Sequence, residues 1–569
     1  MISVVLRMLL RSPLPPSPSS QRHTMGRNEA DTRAQLIDPA LHQRGWTEDR
    51  HIRREQTPGA IDIVQGRGKR RSRGRMDYVL RLAVEAGKQP VAVALIEAKA
   101  EDKAPTDGLE QAKAYASGKL HNIQFVYATN GHLFVEYDRN TGQTSSPRPL
   151  AEFPTPAELR QRYETEQGFS LESDIAKPLL TPYKTGEGRR RYYQDAAIRA
   201  ALEKIARCTN QGESSRVLLS LATGAGKTFI AVNLLKRISD AGLLRRALFV
   251  CDRDELRIQA SAAFQNLFGA NAATVDSKHP QKNAKVLIAT YQTLDVDQED
   301  SDANFLTQHY PENYFSHIVI DECHRSAWGK WSQVLTRNPD AVHIGLTATP
   351  RQLTITEDNP DARRDLQITA DNLAYFGEPV YEYTVVQGQE DGYLAAYQIR
   401  LGRVNLDDTG ITKKDILARN EIDAKTGRPI TEEELDELYA DRSFENRVML
   451  PDRVFAMTQD LFDYLIRTGT PEQKTIIFCV RDYHADQVAM ELNNLYAHWC
   501  EENELTPREN YAFKCTAASG GKDYLADLKG SQRNYFIATT VDTSSAAATA
   551  APIAASPARP GCRKAPGGG

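Results

Sequence analysis

Two clusters of residues could do chemistry. The first is Ala222-Thr223-Gly224-Ala225-Gly226-Lys227-Thr228, a glycine-rich turn between the apolar run VLLSL and the helix-like run FIAVNLLKRI. Such a turn, leading into a helix, aims backbone N–H groups and the positive helix end at phosphate. Thr223, Gly224, Ala225 and Gly226 would cradle the phosphates, Lys227 would reach the β and γ oxygens of ATP, and Thr228 would ligate Mg2+. Position 221 is Leu where the strict pattern has its first Gly, so the match is to the variant A-x-x-G-x-G-K-T. A lone G-K-T also opens ordinary helices, and it is the context that decides. Asp321-Glu322-Cys323-His324 closes the apolar run HIVI, 94 residues after the lysine (321 − 227), and Thr347-Ala348-Thr349-Pro350 closes another run. At a parallel sheet's C-terminal edge Asp321 would hold Mg2+ and Glu322 would align an attacking water. Gln194, just upstream of the first such strand, could read an adenine edge; alone it reads equally well as an exposed helix residue.

The second cluster lies nearer the N-terminus. Asp77 opens one apolar run and Ile96-Glu97-Ala98-Lys99 closes the next, with 19 residues between the two acids (97 − 77 − 1). Carboxylates at the ends of neighbouring strands can share a divalent cation that polarises a scissile phosphate and acidifies a bound water. Lys99 could stabilise the charge developing on that phosphate. Glu-x-Lys ends many solvated strands, so the weight comes from LEQAKAY, where Gln111 and Tyr115 stand at i and i+4 on one helix face. Just before Asp77 is the basic run Arg67-Gly68-Lys69-Arg70-Arg71-Ser72-Arg73-Gly74-Arg75. Such a run is often a plain solvated turn, but beside these acids it could neutralise DNA phosphates. The candidate metal ligands are therefore Asp77 and Glu97 in one site, and Thr228 and Asp321 in the other.

Elements that could position these residues are legible in the patterning. QLIDPALHQRGW reads helical, and MDYVLRLAVEA and PVAVALIEAK read as strands, so residues 25–138 form a compact α/β unit. Residues 139–188 begin with a Pro/Ser/Thr-rich tract and read as a linker. From 189 to 385 short apolar strands (RVLLSLA, ALFVCD, KVLIAT, HIVIDE, HIGLTA) alternate with helices, which predicts a parallel sheet in a nucleotide-binding lobe. A second α/β lobe over 386–542 carries a polar insert near 407–445 and restarts with KTIIFCV and NYFIATTV.

The chain has 569 residues, enough for three or four domains. Its net charge of −4 gives no overall pull on nucleic acid, so DNA contact must be local. No run approaches the ~18 apolar residues of a membrane span, which excludes a membrane-inserted class. Seven cysteines, with no C-x-x-C pair, suit a reducing cytoplasm and point to neither a zinc site nor a disulfide framework.

The first set of motifs, with its upstream glutamine, resembles superfamily 2 DExH motors from about Arg189 to Asp542. That resemblance makes Ala247 to Asp252 and Ile288 to Leu294 the stretches that grip the DNA backbone. The second set resembles the RecB-like branch of the PD-(D/E)xK nucleases, which implies a restriction-endonuclease-like fold and Glu29 as an additional acid. The order of the two, with EADTRAQLID, VALIEAKAE, LEQAKAYA, YYQDAAI, ATGAGKT, DECHRS and GLTATP, resembles the restriction subunit of type I restriction-modification enzymes. The resemblance implies ATP and Mg2+ as cofactors, double-stranded DNA as substrate, and methylation and specificity subunits as partners. It implies ATP-driven DNA translocation coupled to cleavage. An RNA helicase, a repair nuclease-helicase and an inactive DNA- or nucleotide-binding remnant are the competing readings. Residues 1–24 are expected to be a non-native or disordered extension before a start at Met25. Residues 543–569, rich in Ala, Pro and Gly, are expected to be disordered, and a frameshift would explain why the family's L-L-S-x-G-x-D segment and arginine motif do not follow. The second lobe is thus expected to be incomplete, with ATP binding kept and hydrolysis and translocation impaired.

Overall fold

A computed structural model describes residues 26–541 except 49, 55–60, 65–66, 71–76, 118–121, 140, 184–190, 252–253, 295–304, 322–333, 349–371, 396, 398, 401, 403–410, 419–430, 433–437, 440–450, 510, 517–523, 525–526, 529 and 531–533. The two terminal stretches read as extensions, 1–24 and 543–569, lie outside the described residues, as do Glu322, Thr349 and Pro350.

The N-terminal unit is built on a six-stranded sheet in the order β1-β4-β5-β6-β7-β8. Its strands are β1 (Ile52–Arg53), β4 (Tyr78–Leu82), β5 (Val91–Ala98), β6 (Phe125–Thr129), β7 (Leu133–Asp138) and β8 (Arg148–Pro149). All neighbours are antiparallel except β5 and β6. A parallel pair needs a crossover, and here the connection carries α3 (Leu109–Ala116), which packs back on both strands. The apolar residues of β5 apart from Ala92 are buried along the strand, in the pattern expected of a strand covered on both faces. The run expected to be strand through Ala86 stops at Leu82, because EAGKQP makes a turn with Gly87 at φ 79°. A separate hairpin pairs β2 (Ile61–Val64) with β3 (Arg67–Arg70), so the first half of the basic run is strand. Residues 71–75 of that run lie outside the described residues.

The stretch read as a linker is packed. Within it β8 adds the sheet's last strand, Leu150 and Phe153 are buried, and α4 (Pro156–Gln167) starts on a Thr155 cap reciprocated by Glu158. Composition hides this, since the apolar residues that anchor the tract are few and spaced by prolines. Trp46, fully buried, donates its indole N–H to Pro154 O at 2.8 Å and ties the first helices to the same tract. One continuous apolar core runs from this sheet through α4 and α5 (Lys177–Leu180) to α6 (Tyr192–Gln211) and the motor sheet.

The motor sheet has seven strands in the order β11-β12-β10-β13-β14-β9-β15, all parallel. They are β9 (Arg216–Leu221), β10 (Ala247–Cys251), β11 (Ala272–Thr274), β12 (Val286–Thr290), β13 (His317–Ile320), β14 (Val342–Thr347) and β15 (Tyr381–Tyr383). The continuous apolar runs in the sequence are central strands buried on both faces. The second lobe shows a three-stranded parallel sheet, β18-β20-β19, from β18 (Thr475–Phe478), β19 (Ala512–Lys514) and β20 (Ile537–Thr540). Of the polar insert, the described residues include an antiparallel pair, β16 (Ile411–Thr412) with β17 (Leu438–Tyr439). Among the described residues no helix is long and apolar enough to cross a membrane.

Candidate functional site

The register Tyr78↔Ile96 sets Asp77 opposite Glu97 at the ends of two antiparallel strands, so both carboxylates leave one face of the sheet. Both residues are buried, at 4% and 2% exposure. Asp77 Oδ2 accepts from the backbone N–H of Ala98 at 2.7 Å, and Oδ1 takes an ion pair from Arg33. Glu97 Oε1 accepts from Lys99 Nζ at 2.9 Å, whereas its buried Oε2 has no hydrogen-bond partner. Lys99 Nζ also reaches Gln111 Oε1 at 3.4 Å, and Gln111 Nε2 donates to the Tyr115 hydroxyl at 3.2 Å. Asp77, Glu97, Lys99, Gln111 and Tyr115 therefore converge, linked by hydrogen bonds from Glu97 through to Tyr115.

Burial pushes the Glu97 carboxyl up to about 7; the Lys99 bond pulls against this and the Asp77 charge adds to it. Asp77 is also raised by burial, against the Ala98 N–H and the Arg33 charge. Burial works to lower Lys99, but its contact with Glu97 outweighs that and leaves it raised. A buried carboxylate oxygen without a donor is the vacancy in hydrogen bonding that a hard cation fills. Among the described residues no three of His, Cys, Asp and Glu gather as a closed metal cage. Two carboxylates with open coordination suit Mg2+, which keeps several waters or phosphate oxygens of its own. Glu29, expected as an additional acid, is exposed, though its charge is felt at both Asp77 and Glu97.

Because the carboxyl titrates higher in the fold than in the free chain, ionising Glu97 costs stability. The cost is absent below about pH 4.5, grows as pH rises, and is complete above about 7. Glu97→Gln is therefore expected to stabilise the cation-free protein by roughly 1–2 kcal/mol at pH 8 and to have little effect at pH 5. Chemical denaturation in chelator at the two pH values reads this, and equal effects at both would contradict it.

Two residues of this site were given no role by the sequence alone. Arg33 stands on a π-turn (Arg33–Ile37) between α1 (Glu29–Thr32) and α2 (Asp38–Gln43); such turns recur at functional sites. The β6–β7 turn holds this helix in place: at Gly131, φ 89°, an added Cβ would lie 2.8 Å from Leu36 Cβ. Gly108 precedes α3, and a Cβ there would come within 3.0 Å of both Glu97 Cγ and Lys99 Cε. Gly108→Ala is expected to slow DNA cleavage about tenfold with the fold retained, since small misplacements of reacting groups are costly. Steady cutting by a folded Gly108→Ala protein would show that the two side chains have room to give.

The glycine-rich loop follows β9 directly. Gly224 and Gly226 take φ of 84° and 88°, and α7 (Lys227–Asp240) starts at the lysine. Asp321 follows β13, and β14 lies between β9 and β13, so the loop and the acid share one sheet edge about 10 Å apart between strand axes. Asp321 is buried, and its N–H donates to Val250 O at 2.9 Å. Thr223 is exposed, Ala225 is buried, and Lys227 and Thr228 are half-buried. Gln194 is buried and both ends of its amide are engaged within the chain: Oε1 accepts from Arg191 N at 3.1 Å and Nε2 donates to Ala225 O at 3.2 Å. Its geometry braces the loop. The neighbouring Tyr193 hydroxyl donates to the same carbonyl at 2.8 Å, a contact the sequence reading missed. A Cβ at Gly226 would sit 2.9 Å from the Gln194 amide, so loop and helix are fitted to each other.

A family profile described as "Type III restriction enzyme, res subunit" matches residues 187–352, the span that holds the loop and Asp321. The type I restriction enzyme EcoAI endonuclease subunit of Escherichia coli is 31% identical over 533 residues, 90% of this chain and 59% of that protein. The EcoKI endonuclease subunit of Escherichia coli strain K12 is 27% identical over 550 residues, 83% of this chain and 44% of that protein. The chain thus spans about half the length of these relatives. A solved fragment described as an HsdR subunit of a type I restriction enzyme from Vibrio vulnificus superposes with a TM-score of 0.65 at 28% identity, covering 91% of this chain and 84% of that one. Sequence similarity along nearly the whole chain and a fold that superposes on the Vibrio vulnificus fragment make this chain a homologue of the endonuclease subunits of type I restriction enzymes.

Proposed function

We propose that this chain is the cutting and motor part of a type I restriction endonuclease, using ATP-driven movement of double-stranded DNA to bring duplex to a Mg2+-dependent nuclease centre. The observation that supports it most is the convergence of Asp77, Glu97 and Lys99, with a buried Glu97 oxygen left unpartnered, in the same chain as a phosphate loop and Asp321 at one sheet edge. Asp77 and Glu97 would hold Mg2+, which when bound supplies Lewis-acid polarisation of the phosphodiester and a more acidic water. Lys99 places its ammonium beside Glu97 and donates toward the phosphate oxygen that gains charge. Gln111 orients Lys99, and Tyr115 orients Gln111. In the motor, the loop N–H groups and Lys227 bind the triphosphate, Thr228 and Asp321 would hold its Mg2+, and Glu322, outside the described residues, would align water. Methylation and specificity subunits would choose the DNA target. The five described cysteines are buried and form no disulfide with one another, in keeping with a cytoplasmic site of action.

Supercoiled plasmid incubated with the purified chain, Mg2+ and ATP, with and without methylation and specificity subunits, tests the reading. Divalent-dependent strand breakage is expected. Duplex RNA unwinding with no DNA breakage under any of these conditions would contradict it.

A further inference from the structure

A cavity of about 370 Å³ lies between the nuclease sheet and the motor, walled by the start of β5, by the loop leading into β6, by α4 and by α6. Its size falls in the range of small-molecule sites, and it belongs to neither site described above. Arg139, Lys204 and Arg207 line it against Glu166 and Glu203. Arg199 borders Glu203, with Nε 3.4 Å from Oε1. Even with both acids ionised, three lining cations face two carboxylates, an excess of one (3 − 2).

The cations nearest the space have no carboxylate bonded to them. Among the described residues Arg139 donates to the backbone oxygen of Ile123, at 2.7 Å, and to no carboxylate. Arg207 spends its donors on Gln167, at 3.3 Å to the main-chain oxygen and 2.6 Å to the side-chain oxygen. Among the described residues no hydrogen bond or ion pair engages Lys204. Glu203 is buried, and its Oε1 already accepts from the Tyr163 hydroxyl at 2.8 Å. Burial pushes the Glu203 carboxyl up, which widens the positive excess, and it lowers Arg139, the mark of a guanidinium held out of water. Partly desolvated cations without an anion are costly, and charge-assisted bonds to phosphate relieve that cost.

We propose that this cavity binds a small phosphate-bearing anion, held by Arg139, Lys204 and Arg207 at the seam between nuclease and motor. Free phosphate and the phosphate of a mononucleotide share that chemistry. The occupant would reinforce a seam already bridged by the Arg199 bond to Asn122 O at 3.0 Å, which joins α6 to the loop leading into β6. The proposal is independent of the function given above.

The test is titration calorimetry on Lys227→Ala protein, in which the phosphate loop is silenced, with inorganic phosphate and, separately, AMP. Saturable binding of phosphate or AMP near one per chain is expected. Adding Lys204→Met should weaken it about tenfold without moving the melting temperature, because that ammonium makes no bond among the described residues. Arg139→Met should abolish it and Arg139→Lys should restore part of it. AMP binding no tighter than phosphate assigns the site to the phosphate group alone, and tighter AMP adds a nucleoside contact. No saturable binding of either anion, or binding indifferent to Lys204→Met, would overturn the proposal.

Discussion

Asp77→Asn and Lys99→Ala are each expected to lower DNA cleavage by about a thousandfold or more, with nucleotide binding within twofold of the parent protein. The first change removes the charge of one of two carboxylates that would hold the cation, and metal-assisted polarisation contributes several kcal/mol to such a step. The second removes the ammonium 2.9 Å from Glu97 Oε1, a direct contact with the buried acid. Electrostatic groups aimed at developing charge contribute about 3–4 kcal/mol apiece. Lys99→Ala also leaves Glu97 buried without its hydrogen bond, so melting temperatures in chelator must accompany the rates. Cleavage by folded Lys99→Ala at more than a tenth of the parent rate would remove Lys99 from the centre.

Lys227→Ala is expected to weaken binding of a fluorescent ATP analogue about a hundredfold and to leave the circular dichroism unchanged. Lys227 is the first residue of α7, directly after Gly226 in a left-handed conformation, so its side chain starts where the loop N–H groups converge. Charge-assisted bonds to phosphate contribute about 1.5–3 kcal/mol each, and one to two such bonds give the stated factor. Affinity within threefold of the parent protein would mean that the loop does not hold triphosphate through this lysine.

The two sites differed in how far the sequence alone could reach. The phosphate loop was legible because its chemistry is contiguous: glycines, lysine and threonine follow one another between a strand and a helix. Glu97 and Lys99 were legible as a strand end, and Asp77 as the start of another, because an antiparallel pair places such ends together. Arg33 was not legible, because its contact with Asp77 spans 44 residues and depends on a π-turn that no periodicity announces. Gly108 carried no signal either, since its importance is the space denied to a Cβ beside Glu97 and Lys99. Gln194 was noticed for its type, but its bond to Ala225 O arises from the docking of α6 on the loop, which only the tertiary packing decides. The tract after Asp138 looked like a connector by composition, yet Leu150, Phe153 and Leu159 are buried, because a few well-spaced apolar residues suffice to pin a proline-rich segment to a sheet.

The cutting centre is the central claim, and crystals soaked in Mn2+ with anomalous diffraction test it most directly. The account predicts a peak roughly 2.2 Å from one oxygen of Asp77 and from Glu97 Oε2, with Arg33 drawn away from Asp77. Arg33 still bonded to Asp77, Lys99 still on Glu97, and no manganese between the two carboxylates at saturating concentration would contradict it.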